Sequence, residues 1–469
     1  MLSSITVPIA RGRGAVRAAA AALVSGLAAA TILAGAGQAA ADTATQGQGG
    51  ATATIGGLKV YGSAVLHEES GDQEIPAGLF EMSVDGGGML QTYCVDVYTP
   101  TQKDAKYHET PWSGTSLAAN KQAGRIGWIL RNSYPQVNDL ASLAKKAGIA
   151  GGLTEQDAAA GTQVAIWRYS DGADVDAVDP QARKLADYLE KEAGEAAEPP
   201  ASLTVDSPAI SGKPGGLLGP VTVHTDAGAV SVTPPPDAAI TGVKVVDEDG
   251  EEVTAAVDGS RLYFQVPQKA PAGSAQVTLQ ASTTVPVGRA FVSEGRSQTQ
   301  ILAGSSESTV SATAVASWAE AGAVPALSAA RDCLRSGLDI TAANKGDQPY
   351  TFTLLTAEYT IGAGETRTVT VPLQEDQLYD FTLTTPQGTS PRFTGVLDCK
   401  TQSRTVSNLT TQTYSDPAPA KVLPTTPTNL AATGSDSTTP VIAGTAIGLV
   451  LIGGAALVLT ARKNQGAGE

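Results

Sequence analysis

The chain has 469 residues, of which 42% are hydrophobic and only 5% aromatic, with 51 glycines and 27 prolines. At roughly 150 residues per domain, this length predicts about three domains. The formal net charge is -15. The first 41 residues hold three arginines and no acid, so the rest of the chain has 28 basic and 46 acidic residues and a charge of -18. Phosphate recognition needs a basic face, so we expect no nucleic-acid partner.

The histidines and cysteines argue against a metal centre. The chain has three of each, and they lie far apart: His67, His108, His224, Cys94, Cys333 and Cys399. Their spacing contains no CxxC or HExxH motif. We therefore expect no metal site, no cofactor and no standard hydrolase triad.

The N-terminal segment 1–41 is predicted to be a secretory signal peptide. Arg11, Arg13 and Arg17 precede an apolar, alanine-rich run over 18–34, and small residues end the segment at Ala41. A basic flank, an apolar run of this length and an A-x-A ending are typical of such a peptide, with a helix of the mature protein as the alternative. The mature chain then begins outside the cytoplasm, and residues 42–54, poor in apolar side chains, are expected to form a flexible tether.

Residues 55–198 are predicted to form an α+β domain. Strand-like runs over 79–84 and 89–98 flank an Asp-Gly-Gly-Gly turn, which is a hairpin signal. Alternation along the second run places Cys94 and Asp96 on one face and Tyr93 on the other. Helices are expected over 116–131, over 158–169 after a capping box at Thr154 and Asp157, and from Pro180 to about Glu192.

Residues 201–320 and 327–403 are predicted to form two all-β, immunoglobulin-like sandwiches. Short runs rich in valine and threonine alternate there with glycine, proline and aspartate turns. Cys333 and Cys399 lie near the two ends of the second sandwich, 66 positions apart, so we expect a stabilising disulfide between them. The following residues 404–429, rich in proline and threonine, predict a semi-extended stalk.

Residues 430–469 combine a short motif, an apolar span and a basic tail. The span 441–459 has no charged residue and is long enough to cross a bilayer, and Arg462 and Lys463 follow it. This order resembles the cell-wall sorting signal of Gram-positive sortase substrates, with the motif in its LAxTG form at Leu430, Ala431, Ala432, Thr433 and Gly434. The resemblance implies that sortase cleaves after Thr433 and joins its carboxyl group to a peptidoglycan amine. An ordinary single-span membrane anchor is the alternative.

Pairing Cys333 with Cys399 leaves Cys94 unpaired in an exported protein, and this needs an explanation. The run Tyr93-Cys94-Val95-Asp96 and the helix-borne run Thr162-Gln163-Val164-Ala165 together resemble the thioester domain of Gram-positive surface proteins. The signature of that family is a strand cysteine and a TQxA glutamine, and the resemblance covers roughly residues 55–195.

The resemblance implies a covalent bond between Cys94 and Gln163. The cysteine sulfur attacks the glutamine carboxamide, ammonia leaves, and an internal thioester remains. Such a bond survives where water is excluded, which gives Tyr93 and Trp167 a candidate shielding role. The alternative for both aromatic residues is ordinary core packing.

These features together predict a secreted, cell-wall-anchored adhesin that carries a membrane span before sortase processing. An amine of a partner surface protein, or a polyamine, attacks the Gln163 carbonyl, frees the Cys94 thiol and forms an amide. The reaction is single-use, so the protein is not expected to be an enzyme. One alternative is an inert wall-anchored stalk in which Cys94 only packs. A cysteine hydrolase using Cys94 with His67 or His108 is disfavoured, because Cys94 lies in a strand-like run rather than at a helix N-terminus.

Overall fold

The computed structural model describes residues 49–401. The predicted signal peptide, most of the predicted tether, the stalk, the sorting motif and the apolar span 441–459 lie outside the described residues. Within residues 49–401, no helix is both long enough and apolar enough to cross a membrane.

The described chain consists mainly of β-strands, with its helices concentrated in the first half. The helices are α1 (Ala123–Asn132), α2 (Leu140–Lys146), α3 (Glu155–Ser170), α4 (Pro180–Glu192) and α5 (Ala238–Thr241). The first strands are β1 (Thr52–Leu66), β2 (Gln73–Val84), β3 (Met89–Cys94), β4 (Lys106–Thr110), β5 (Val175–Ala177), β6 (Leu203–Asp206), β7 (Ala209–Gly212), β8 (Leu217–Thr225), β9 (Val230–Thr233), β10 (Lys244–Val246), β11 (Ala255–Ala256) and β12 (Arg261–Gln265). The later strands are β13 (Gly273–Thr284), β14 (Ala290–Ser293), β15 (Gln300–Ser305), β16 (Glu307–Trp318), β17 (Pro325–Asp332), β18 (Gly337–Asn344), β19 (Tyr350–Leu354), β20 (Ala357–Ile361), β21 (Thr366–Pro372), β22 (Gln377–Thr382) and β23 (Arg392–Leu397).

Seven strands from two distant stretches of the chain form the first sheet, in the order β2-β3-β15-β14-β4-β1-β5. All of its strand pairs are antiparallel. Helix α3 packs against β1 and β2, and α1 and α4 pack against α3. Residues 158–167 of α3 are all buried, as expected for a helix covered on every side. These elements give the α+β region that the sequence predicts.

Strands β14 and β15 lie in the segment that the sequence assigns to a separate sandwich, 201–320. They instead hydrogen-bond with β4 and β3 and complete the first sheet. The predicted boundary at 198–201 therefore does not separate two independent units. Residues 49–54 also differ from the predicted tether, because Gly50 pairs with Ser311 and β1 begins at Thr52. Local patterns identify a strand but not the sheet that it joins, and here that choice depends on residues about 200 positions away.

The rest of the middle segment forms two sheets of its own. One has the order β10-β12-β8-β6 and the other β11-β9-β13-β16-β7. Buried and more exposed residues alternate along β13 and β16, as in strands with one face toward a core. The buried residues of these sheets belong to the same continuous core as the first sheet. The segment is thus all-β apart from the one-turn helix α5, and its immunoglobulin-like topology stays a prediction.

The C-terminal strands surround a second core. Their sheets are β17-β18-β21, β19-β20 and β22-β23, and their buried side chains include Ile340, Leu354 and Leu397. Cys333 and Cys399 form a disulfide across a sequence separation of 66 residues, with their Cα atoms 5.1 Å apart. The predicted disulfide is confirmed.

Two of the three predicted helices agree closely with the structure. Thr154 and Asp157 form the expected capping box at the start of α3, and Pro180 occupies the first turn of α4. The helix expected over 116–131 begins only at Ala123, because residues 116–118 form a 3-10 turn instead. The structure also contains α2, which the sequence analysis does not predict.

Candidate functional site

Cys94 is the last residue of β3. The strand predicted to continue to residue 98 ends here because the Asp96 carboxylate accepts hydrogen bonds from the backbone N–H groups of Tyr98 and Thr99, at 2.9 and 3.2 Å. An aspartate that binds backbone two residues ahead forms a turn in place of a strand ladder. Cys94 therefore lies where the strand meets a turn, and its backbone N–H and carbonyl groups bond to the side chain of Gln163.

Gln163 lies in the middle of α3. The position of this helix is set by close packing against α4 at Gly161, where an added Cβ atom would lie 2.6 Å from the carbonyl oxygen of Ala182. A larger residue there would push the two helices apart. The helix thereby holds the Gln163 side chain against the end of β3.

The structure brings Cys94 and Gln163 together through two reciprocal hydrogen bonds. The backbone N–H of Cys94 donates to Gln163 Oε1 at 2.9 Å, and Gln163 Nε2 donates to the carbonyl oxygen of Cys94 at 2.9 Å. The first bond polarises the glutamine carbonyl and faces the oxygen on which negative charge develops during attack on Cδ. The second bond fixes the rotation of the Gln163 carboxamide. Cys94 therefore supplies the nucleophilic sulfur and also orients the electrophilic Cδ of Gln163.

The pair is fully enclosed, since both side chains are 0% exposed. Burial raises the pKa of the Cys94 thiol far above its ordinary value, while hydrogen bonds with Gln300 and Thr101 oppose that shift. The thiol is therefore protonated at neutral pH, and an attack on Gln163 must transfer its proton. A cavity of about 360 Å³ lined by Lys106 and His108, among others, does not include Cys94 or Gln163.

The two aromatic residues proposed to shield the site are both buried: Tyr93 precedes Cys94 in β3, and Trp167 lies one turn beyond Gln163 in α3. Tyr93 is 0% and Trp167 2% exposed. The Tyr93 hydroxyl donates to the carbonyl oxygen of Tyr134 at 2.8 Å. Within residues 49–401, Trp167 Nε1 is buried without a hydrogen-bond partner. Burial is what shielding requires, but core packing requires it too, so the two roles are not distinguished.

A third polar residue, Gln300, contacts the sulfur and was missed by the sequence analysis. It is the first residue of β15, directly opposite Cys94 in the β3–β15 register. Its Nε2 donates to Cys94 Sγ at 3.3 Å, and its Oε1 accepts from Thr92 Oγ1 at 3.0 Å. No local signal marks Gln300, because it belongs to no motif and lies 206 residues from Cys94.

Several acidic groups lie near this region. Burial raises the pKa of Asp96 to about 6, against hydrogen bonds from Thr99 and Tyr98. Burial, and to a smaller extent the charge of Asp96, raises the pKa of Asp171. The same two causes, with burial again the larger, raise the pKa of Asp398 to about 7. With a pKa of about 7, Asp398 keeps about half of its protons at neutral pH.

The carboxylates of Glu375, Asp376 and Asp398 lie within 4.8 Å of one another. Glu375 also accepts hydrogen bonds from the backbone N–H groups of Cys399 and Lys400, at 2.6 and 2.9 Å. Such a group could hold a cation, but it also occurs without one in many proteins. The expectation of no metal site stays a prediction.

Two segments of the chain match known protein families. Residues 91–195, which contain Cys94 and Gln163, match the family described as thioester domain. Residues 315–396 match the family described as the C-terminal domain of bacterial phospholipase C. The first match shows that the α+β region contains a thioester domain, in agreement with the resemblance seen in the sequence. No curated protein matched the chain.

The solved structures that are similar to this chain include three of bacterial TIE proteins or their thioester domains. The Bacillus anthracis TIE protein is 14% identical, with 75% of this chain and 81% of that chain covered and a TM-score of 0.26. The thioester domain of the Enterococcus faecium TIE86 protein is 16% identical, with 58% and 97% covered and a TM-score of 0.27. The thioester domain of the Staphylococcus aureus TIE protein is 14% identical, with 57% and 98% covered and a TM-score of 0.23. The assignment of a thioester domain rests on the family match.

Proposed function

We propose that Cys94 and Gln163 form an internal thioester. The Cys94 sulfur adds to Gln163 Cδ, the Cδ–Nε2 bond breaks, and ammonia leaves with the proton that the thiol gives up. No oxidant or cofactor is needed, because the step is an acyl transfer. The observation that carries this proposal is the reciprocal pair of 2.9 Å hydrogen bonds between Cys94 and Gln163.

The burial of the pair supports a bond that lasts. A thioester exposed to water hydrolyses, whereas one enclosed by protein waits for a nucleophile that can enter. Both reacting side chains are 0% exposed, so access requires neighbouring side chains to move. Tyr93 and Trp167 are the residues proposed to shield the bond, and a small amine is the appropriate first probe.

The proposed reaction of this thioester is the covalent capture of an amine. A lysine of a partner surface protein, or a polyamine, attacks Gln163 Cδ, the Cδ–Sγ bond breaks, and the Cys94 thiol is regenerated as an amide forms. The site reacts once, so the protein acts as an adhesin rather than as an enzyme.

The proposed location is the bacterial cell wall. It rests on the sequence of both termini: a signal peptide over 1–41, and the LAATG motif before the apolar span 441–459 and its basic tail. Sortase is the proposed processing partner and peptidoglycan the proposed attachment point, at Thr433.

The test is an intact mass of the chain spanning residues 42–433, beside Cys94→Ala, Gln163→Ala and the control Gln280→Ala, an exposed glutamine of β13. The thioester predicts a deficit of about 17 mass units in the wild type from the lost ammonia, and a gain of about 31 after methylamine is added. The control should behave as the wild type, and the two site variants should show their full calculated masses with one disulfide.

A wild type without the mass deficit would contradict the proposed thioester. If the wild type has its full calculated mass, and Cys94 is alkylated quantitatively in urea without reductant, no thioester is present. The protein is then a passive stalk in which Cys94 packs as a small apolar residue.

A further inference from the structure

The thioester site receives one of its contacts from a strand far outside the matched domain. Strand β15 pairs with β3 so that Gln300 lies opposite Cys94, Ile301 opposite Tyr93 and Leu302 opposite Thr92. Directly opposed residues in an antiparallel pair are the closest side-chain neighbours in a sheet. The family match ends at residue 195, so the segment matched by sequence does not contain Gln300.

The contact has a defined direction. Thr92 Oγ1 donates to Gln300 Oε1 at 3.0 Å, which leaves the Nε2 hydrogens of Gln300 to face Cys94 Sγ at 3.3 Å. Thr92 shares a strand face with Cys94, because side chains two residues apart point the same way. Gln300 itself is 0% exposed, so no water competes for its carboxamide.

The loop before β15 is also held in place. The Tyr107 hydroxyl is hydrogen-bonded to Ser297 Oγ at 2.6 Å and to the carbonyl oxygen of Gln298 at 3.0 Å. Tyr107 belongs to β4 of the same sheet and is fully buried. The residues that lead into Gln300 are therefore fixed to the sheet on which Cys94 lies.

We propose that Gln300 is a catalytic residue of the thioester, donating a hydrogen bond from Nε2 to Cys94 Sγ, and that Thr92 is its positioning residue. This inference rests on the proposed function. Sulfur carries negative charge at two stages: as the thiolate that attacks when the thioester forms, and as the leaving group when an amine opens it. A donor aimed at sulfur stabilises the charge in both steps, so a single residue accelerates both.

The experiment measures methylamine opening in the chain spanning residues 42–433 with Gln300→Leu, Thr92→Val and the control Ile301→Val. Leucine keeps the approximate size of glutamine but donates no hydrogen bond. We expect Gln300→Leu either to lower the thioester fraction seen by mass, or to slow opening by about 10–100-fold, as for the loss of a hydrogen bond to a charged group. Thr92→Val, which leaves Gln300 present but unanchored, should have a smaller effect in the same direction, and the control none.

A second readout separates this role from a structural one. Stabilisation of the thiolate lowers the pH at which the Cys94 thiol can attack, so the pH profile of thioester formation during refolding should move to higher pH in Gln300→Leu. A variant that only loosens packing changes the rate without moving the profile. Near-ultraviolet circular dichroism identifies variants that fold, and if Gln300→Leu does not fold, Thr92→Val decides the outcome.

The inference is overturned if a folded Gln300→Leu has the wild-type thioester fraction, opening rate and pH profile, or if Thr92→Val matches the wild type when Gln300→Leu cannot fold. This result differs from failure of the proposed function. In that case the wild type itself lacks the mass deficit.

Discussion

A buried ion pair links the two stretches of chain that build the first sheet. Glu109 of β4 is 0% and Arg289, just before β14, 5% exposed at the side chain, and Arg289 Nε donates to Glu109 Oε1 at 2.9 Å. Arg289 Nη1 also donates to Glu198 at 2.8 Å. Glu109 in turn accepts from the backbone N–H groups of Ala51 and Ser202, at 3.1 and 3.0 Å.

Replacing Arg289 by methionine tests how strongly this link holds β14 in the sheet. The variant keeps most of the apolar stem but leaves the Glu109 carboxylate buried with no counter-charge. Removing one partner of a buried ion pair costs about 3–5 kcal/mol of unfolding free energy. The double variant Glu109→Gln with Arg289→Met removes both charges, so it should recover most of that loss.

The assay is urea unfolding followed by tryptophan fluorescence, since Trp112, Trp128 and Trp167 all lie in the α+β region. For a slope of about 2 kcal/mol per molar urea, the expected loss lowers the midpoint by about 1.5–2.5 M. Arg289→Lys, which keeps a charge but not the two-pronged geometry, should fall between the wild type and methionine. A loss below about 1 kcal/mol for Arg289→Met, or a double variant no more stable than it, would refute this reasoning.

Three further predictions follow from the same structure. A chain of residues 42–198 lacks β14 and β15, so it should show neither native circular dichroism nor the mass deficit that the 42–433 chain is expected to have. Cys333→Ser with Cys399→Ser opens a 66-residue loop and should cost about 4 kcal/mol of stability on chain-entropy grounds, read as a lower Tm. Asp398 has its pKa raised to about 7 by burial. The contribution of this carboxyl group to the free energy of unfolding is fully present below its unfolded pKa of about 4. It is lost as the pH rises to about 7, and the total loss is up to about 4 kcal/mol. The urea midpoint, measured with EDTA present, should therefore decrease as the pH is raised from 4 to 7. Asp398→Asn should flatten this dependence.

Much of the α+β region could be predicted because its signals are local. The capping box at Thr154 and Asp157, the proline at the start of α4 and the Gly-rich turn after β2 each act within a few residues. The TQxA run and the strand cysteine are also short motifs, so Cys94 and Gln163 could be chosen as a pair. The disulfide could be predicted because Cys333 and Cys399 lie near the two ends of one predicted sandwich in an exported chain.

The sequence by itself determined the local elements, the pair of residues proposed to react and the disulfide that closes the C-terminal unit. Only the tertiary structure decided that β14 and β15 join the first sheet and that Gln300 meets the Cys94 sulfur. The physical reason is that strand pairing uses backbone hydrogen bonds, which any sequence can form. The choice between possible partners about 200 residues apart is therefore made by the packing of the whole core, not by a pattern within either strand.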